Sequence, residues 1–177
     1  MTTARSGFAA VVIGDYLYAI GGWGPSSSIA GVGESTVERA RINPDRTLGA
    51  WTPAASMTIG RYAFATFTAG NYLYALGGNV KQGSASVTSD TVERSSVNPD
   101  GSISSWQIIG SMPTGRNSFA AVYAGGALFV LGGGLAGGSP DILNTVDSAP
   151  MNSDGSIGPW QSCLQCLPVG TFLAQLQ

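Results

Sequence analysis

The 177-residue chain has no histidine, a single lysine at Lys81 and only two cysteines, and charged residues make up 10% of it. Each shortage excludes something. Without histidine there is no Ser-His-Asp triad, no Cys-His pair, no His-ligated copper or iron centre and none of the commonest general base. One lysine and a net charge of −2 leave no basic stripe for a phosphate backbone, so nucleic acid is not an expected partner. No apolar run reaches membrane-spanning length. The start, M-T-T-A-R-S-G, lacks the cationic and apolar segments of a secretory signal, and localisation stays open between extracellular and cytoplasmic. Cys163 and Cys166 form a C-x-x-C, but one chain cannot supply the four ligands of a structural zinc site. A thioredoxin-like role needs a βαβ setting that the pattern does not offer. The remaining readings are two small buried apolar residues, a local disulfide, or a four-Cys site shared by two copies. No cofactor and no metal are expected.

What the chain does have is one sentence written three times. Arg5 to Gly22, Arg61 to Gly78 and Arg116 to Gly133 carry the same pattern, with periods of 56 and then 55 residues. Each copy continues through T-V-E-R (Thr36 to Arg39), T-V-E-R (Thr91 to Arg94) or T-V-D-S (Thr145 to Ser148). An N-P-D-R, N-P-D-G or N-S-D-G turn follows, and each copy closes on Trp51, Trp106 or Trp160. A period of this length marks a repeat architecture whose units cannot bury their own faces alone. A hydrophobic fraction of 44% with 26 glycines suits strands joined by tight turns.

Within a repeat the periodicity is two. Phe8 to Ile13 and Tyr16 to Ile20 are short aromatic and β-branched runs split by Gly14-Asp15, the chemistry of a tight hairpin. Gly70-Asn71 and Gly125-Gly126 stand at the same place in the later copies. Thr36 to Ile42 reads as a third strand and Leu48 to Pro53 as a fourth, joined by the Asn43-Pro44-Asp45-Arg46 turn. The pattern predicts four antiparallel strands per repeat and no helix.

An Arg before the first strand, a Gly-Gly pair ending the second and a Trp on the fourth, recurring in phase from Arg5 to Pro168, resemble the kelch-type β-propellers. The resemblance implies an all-β fold of four-stranded blades with the first strand nearest a central axis. It does not imply one function, because kelch propellers include protein-binding scaffolds, sugar-binding modules and a few enzymes. The absence of histidine excludes the copper oxidase branch. The expected division is blade 1 at 1–59, blade 2 at 60–114, blade 3 at 115–168 and a degenerate start of a fourth blade or tail at 169–177, all one domain.

Closed propellers hold four to eight blades. Three would leave raw flanks, so the chain is expected either to belong to a longer propeller or to close with a second copy into a six-bladed ring, the latter preferred. An isologous two-fold contact is the commonest dimer symmetry.

Gly21, Gly22, Gly77, Gly78, Gly132 and Gly133 are read as structural markers, and Trp51, Trp106 and Trp160 as packing between blades. The 23–35, 79–90 and 134–144 loops differ between copies and open on one face with the G-R links, where binding is expected. Arg5, Arg61 and Arg116 are candidates to hold an anion there, or else tie neighbouring strands through backbone carbonyls. Tyr62, Asn117 and the unrepeated Trp23 complete the candidate ligand set, and no catalytic residue is assigned. Glu38, Glu93 and Asp147 read as ion pairs with the adjacent arginines at the blade edge, well out from the axis. The chain reads as a non-catalytic binding and assembly module for a glycan or protein. The alternative is a carbohydrate-active enzyme, a hydrolase or sugar-modifying enzyme, working at the axis through carboxylates and the Arg ring.

Overall fold

The computed structural model describes residues 1–24, 33–135 and 142–163, with Cys163 described by its backbone alone. Cys166, the 169–177 tail and parts of two variable loops lie outside the described residues.

Each repeat folds into one antiparallel sheet. Blade 1 contains β1 (Ala9–Ile13), β2 (Tyr16–Ile20), β3 (Val37–Arg41) and β4 (Thr52–Ala54), hydrogen-bonded in chain order. Blade 2 contains β6 (Ala65–Ala69), β7 (Tyr72–Leu76), β10 (Thr91–Ser96) and β11 (Gln107–Ser111), and blade 3 contains β12 (Ala120–Ala124), β13 (Ala127–Leu131), β14 (Val146–Pro150) and β15 (Gln161–Cys163). The first strands β1, β6 and β12 lie against one another and the fourth strands do not, so the sheets converge on the side of strand one. The fold is all-β and forms a partial propeller of three four-stranded blades. Among the described residues no helix is long and apolar enough to cross a membrane.

The fourth strand is shorter than the sequence pattern predicts. In blade 1, Leu48 makes only a single bridge to Ile42, and the strand proper begins after Trp51. The larger difference lies in the 79–90 segment, expected to be an open loop. It forms a hairpin of β8 (Asn79–Gln82) and β9 (Ala85–Thr88), and β8 also pairs with the short β5 (Arg61–Tyr62). Gly83, with φ of 61°, supplies the reversal that a Gln-Gly-Ser-Ala sequence allows.

The core lies between the blades rather than within them. Tyr18, Ile20 and Val37 of blade 1 meet Phe64, Leu73 and Trp106 of blade 2, and Phe67, Tyr74 and Leu76 of blade 2 meet Leu128 and Val130 of blade 3. The Trp106 indole donates to the Ala55 carbonyl at 3.0 Å across the first joint, and Trp160 packs on the second. Trp51, at the same phase, belongs to neither cluster, since no blade of the chain lies on its side.

Each joint also carries a polar clasp. Tyr18 donates to Gly101 O at 2.7 Å and Tyr74 to Gly155 O at 2.8 Å. Arg39 and Arg94, lying over the rings of Tyr16 and Tyr72, donate to the carbonyls of Asp100 and Asp154. Burial raises both phenols, Tyr18 and Tyr74, above their ordinary range.

Candidate functional site

Just after each Arg the backbone turns into the left-handed region, at Gly7 (φ 57°), Ala63 (φ 52°) and Ser118 (φ 51°). The Ala63 N–H donates to Gly7 O and the Ser118 N–H to Ala63 O, both at 2.8 Å. These bonds form a ladder from blade to blade on the side of the G-R links. Beside the ladder, the residue after each Arg pairs with the residue after each Gly-Gly. Ser6 bridges Trp23, Tyr62 pairs with Asn79, and Asn117 bridges Gly134. The backbone is thus repeated while the side chains differ, which yields a fixed rim with variable chemistry.

Trp23 and Tyr62 place aromatic groups on this rim, and Asn117 donates to Asn79 Oδ1 at 3.2 Å. The Tyr62 hydroxyl lies 3.4 Å from Ser86 Oγ on β9. Repeat phase alone does not place Asn79 and Ser86 on this rim; the Gly83-Ser84 turn between alternating residues is the sequence signal for their hairpin. Trp23 is 47% exposed. It borders a cavity of about 330 Å³ lined also by Ala4, Arg5, Ser6 and Gly24. A larger cleft, about 350 Å³, opens between blades 1 and 2 on the opposite, short-turn face, beside Tyr16 and Asn98.

The arginines are committed to the fold. Arg61 donates to Gly77 O at 2.6 Å, to the Thr91 hydroxyl at 3.1 Å and to Glu93 at 2.6 Å. Arg116 repeats the set with Gly132 O, Thr145 and Asp147, and Arg5 with Gly21 O and Thr36 O at 2.8 and 3.0 Å. All three side chains are wholly withdrawn from solvent. They clip the Gly-Gly end of strand two to the start of strand three, and they are not open to an anionic ligand.

The carboxylates therefore have different partners from those expected. Glu93 pairs with Arg61, Asp147 with Arg116 at 2.5 Å, and Glu38 lies 3.9 Å from Arg5. They are buried, not at a solvated edge. The sequence-adjacent Arg39 and Arg94 point to the other face of their strands, as period-two alternation requires, and reach the next blade.

Glu93 also accepts the N–H groups of Thr58 and Ile59 at 2.7 and 3.1 Å. Pro113 stands where Thr58 stands and has no N–H to give; there the acid is the shorter aspartate. Burial works to raise the Glu38 carboxyl, but the hydroxyls of Thr2 and Thr3 and the Arg5 charge outweigh it and hold it below its ordinary range. Burial pushes the Arg61 guanidinium down, against the opposing pull of Glu93. No three metal-capable side chains gather among the described residues.

The kelch motif matches residues 4–39. The first repeat carries that motif. The matched stretch holds Arg5, the Gly21-Gly22 pair and Glu38, so it contains one complete buried clip. The solved structure of YjhT aligns with a TM-score of 0.68 at 18% identity, covering 89% of this chain and 45% of YjhT. The chain spans about half the length of that protein, and the likeness is one of fold. No curated protein matches the sequence. In this chain the repeat markers build the clips and joints, while the rim residues beside them are free to differ.

Proposed function

We propose that the chain is a non-catalytic binding and assembly module: half of a kelch-type propeller that completes its ring with a second copy and presents the rim of the G-R face to a glycan. The observation that carries this reading is the exposed Trp23 indole, set beside a cavity on a backbone held by paired bonds to Ser6 at 2.8 Å. An exposed indole on an anchored backbone offers a flat apolar surface to a sugar ring, and Tyr62, Asn79 and Asn117 supply hydroxyl and amide groups on the same rim.

The enzyme reading finds little support. Glycosidic chemistry needs a carboxyl held neutral as an acid. Here Glu38 is pushed the other way, and Glu93 is saturated by Arg61 and two N–H groups. The structural features favour binding over turnover.

A glycan array probed with the chain and with Trp23→Ala tests the proposal. The parent is expected to bind a restricted set of glycans and the variant to lose at least tenfold in affinity with an unchanged melting temperature. No glycan bound by the parent, or equal binding by both, would contradict it, and capture of a protein partner through Trp23 would replace the glycan.

A further inference from the structure

We infer that the trailing flank of blade 3 is shaped for the leading flank of blade 1 of a second copy, through an exchange of large and small residues at one joint. The inference rests on the assembly part of the proposed function and names the surfaces that perform it.

The internal joints define the rule. A Cβ on Gly101 would sit 2.4 Å from the Tyr16 ring, and one on Gly155 would sit 2.8 Å from the Tyr72 ring. Each blade thus offers a tyrosine to a turn glycine of the next and adds an arginine, Arg39 or Arg94, that donates to the same turn. At the outer flanks both sides are changed. The turn of blade 1 has Arg46 in place of the glycine, and blade 3 has Ala127 in place of the tyrosine and Ser148 in place of the arginine. Large over small has become small over large. Arg46 cannot lie under a tyrosine, so blade 1 is not built to follow a blade like 1 or 2, but it fits beneath one like blade 3. Arg46 also holds a φ of 68°, a left-handed conformation that glycine would adopt at less cost, and the retained side chain calls for a contact in return.

Two further features of blade 3 await the same neighbour. Added Cβ atoms on Gly21 and Gly77 would meet the next blade's Arg carbonyl, Met Cε and Phe ring at 2.6 to 2.9 Å, while at Gly132 the nearest atom is Leu143 O at 3.4 Å. The φ values match, so the difference, among the described residues, is that no Arg carbonyl, Met or Phe stands beside Gly132. Blade 1 presents Met1, Arg5 and Phe8 at the phases that fill this space in the internal joints. The ladder likewise runs from Gly7 through Ala63 to Ser118, and one more rung, from Gly7 N–H of a second copy to Ser118 O, continues it.

The flanks are apolar on both sides, with Val122 and Leu131 exposed on blade 3 and Val12 and Leu48 exposed on blade 1. Such a head-to-tail contact closes only if the blade count fits. Two copies give six blades, within the four to eight that propellers hold, and three copies exceed it. The two head-to-tail contacts are related by the two-fold along the ring axis, so Arg46 of each copy meets Ala127 of the other, as an isologous dimer requires.

Sedimentation velocity at micromolar concentration on the parent, Ala127→Tyr, Arg46→Gly and the double variant tests the exchange. The parent is expected as a dimer and Ala127→Tyr as a monomer, its association at least a hundredfold weaker. The double variant, whose joint now follows the internal rule, should return to dimer. Arg46 is exposed and Ala127 is half-buried, and circular dichroism checks that each chain is folded. A folded monomeric parent, or Ala127→Tyr assembling like the parent, would overturn the inference. So would a double variant no better than the single. Independently, Arg46→Cys with Ala127→Cys, in a chain with Cys163→Ser and Cys166→Ser, should oxidise to a covalent species that stops at two copies; no cross-link, or a ladder beyond two, would contradict the closure. A dimeric parent whose Ala127→Tyr variant still assembles would sink this inference alone; a monomer that still binds glycan through Trp23 would sink the assembly reading with it, and a dimer that binds none would sink only the glycan reading.

Discussion

Arg61 and Glu93 meet at 2.6 Å with both side chains wholly buried, 32 residues apart in sequence and joined by the clip that fastens strand two to strand three. The same clip recurs at Arg116 and Asp147, and in a longer form at Arg5 and Glu38. A buried pair of this kind is weak evidence for net stability but strong evidence that neither partner is expendable alone.

Arg61→Lys keeps the charge and loses the planar fork, and it should cost about 1 to 3 kcal/mol. Glu93→Gln leaves the guanidinium buried without its counter-charge and should cost about 3 to 5 kcal/mol. Urea denaturation measures both. Midpoints matching the parent would mean that the arginine is not a clip.

The Gly-Gly pairs are needed for space as well as for backbone. Gly78 and Gly83 both have positive φ, 83° and 61°, so a valine strains either one. Only at Gly78 would the new Cβ strike Phe64 Cβ at 2.5 Å and Tyr62 O at 2.7 Å; nothing lies within 4 Å at Gly83. Gly78→Val should therefore be the more destabilising by about 1 to 3 kcal/mol, the cost of overpacking. Equal melting shifts would refute this.

Acid should loosen the chain through identified carboxylates. Glu38 is held below its ordinary 4.5. The turn residues Asp45, Asp100 and Asp154 are held below 3.8, chiefly because the hydroxyls and then the N–H groups of Thr47, Ser102 and Ser156 bond to them. A carboxyl lowered on folding stabilises above its unfolded pKa, and that stability disappears as pH falls through the folded value. The urea midpoint should thus be flat from pH 7 to about pH 5 and fall below it. The fall should be shallower in Glu38→Gln, whose group no longer titrates; identical slopes would remove Glu38 from the account.

The repeat, the blades and the clip arginines were legible because turn glycines, the Gly-Gly pair and the Trp recur in phase. The partner of Glu93 was not. Sequence adjacency favours Arg94, but alternation puts neighbouring strand residues on opposite faces, and the true partner comes from a link 32 residues away. The β8–β9 hairpin was hidden because the residues of Asn79 to Thr88 do not recur in phase in the other two copies. The departures at Arg46, Ala127 and Ser148 stood in the sequence from the start, yet they acquire meaning only once Gly101 is placed beneath Tyr16.

Sedimentation equilibrium on the unaltered chain tests the central claim, that three blades are half of a ring completed by a second copy. The account predicts a folded species of about 36 kDa, twice the chain mass of 18.0 kDa. A folded species of 18.0 kDa at micromolar concentration would contradict it.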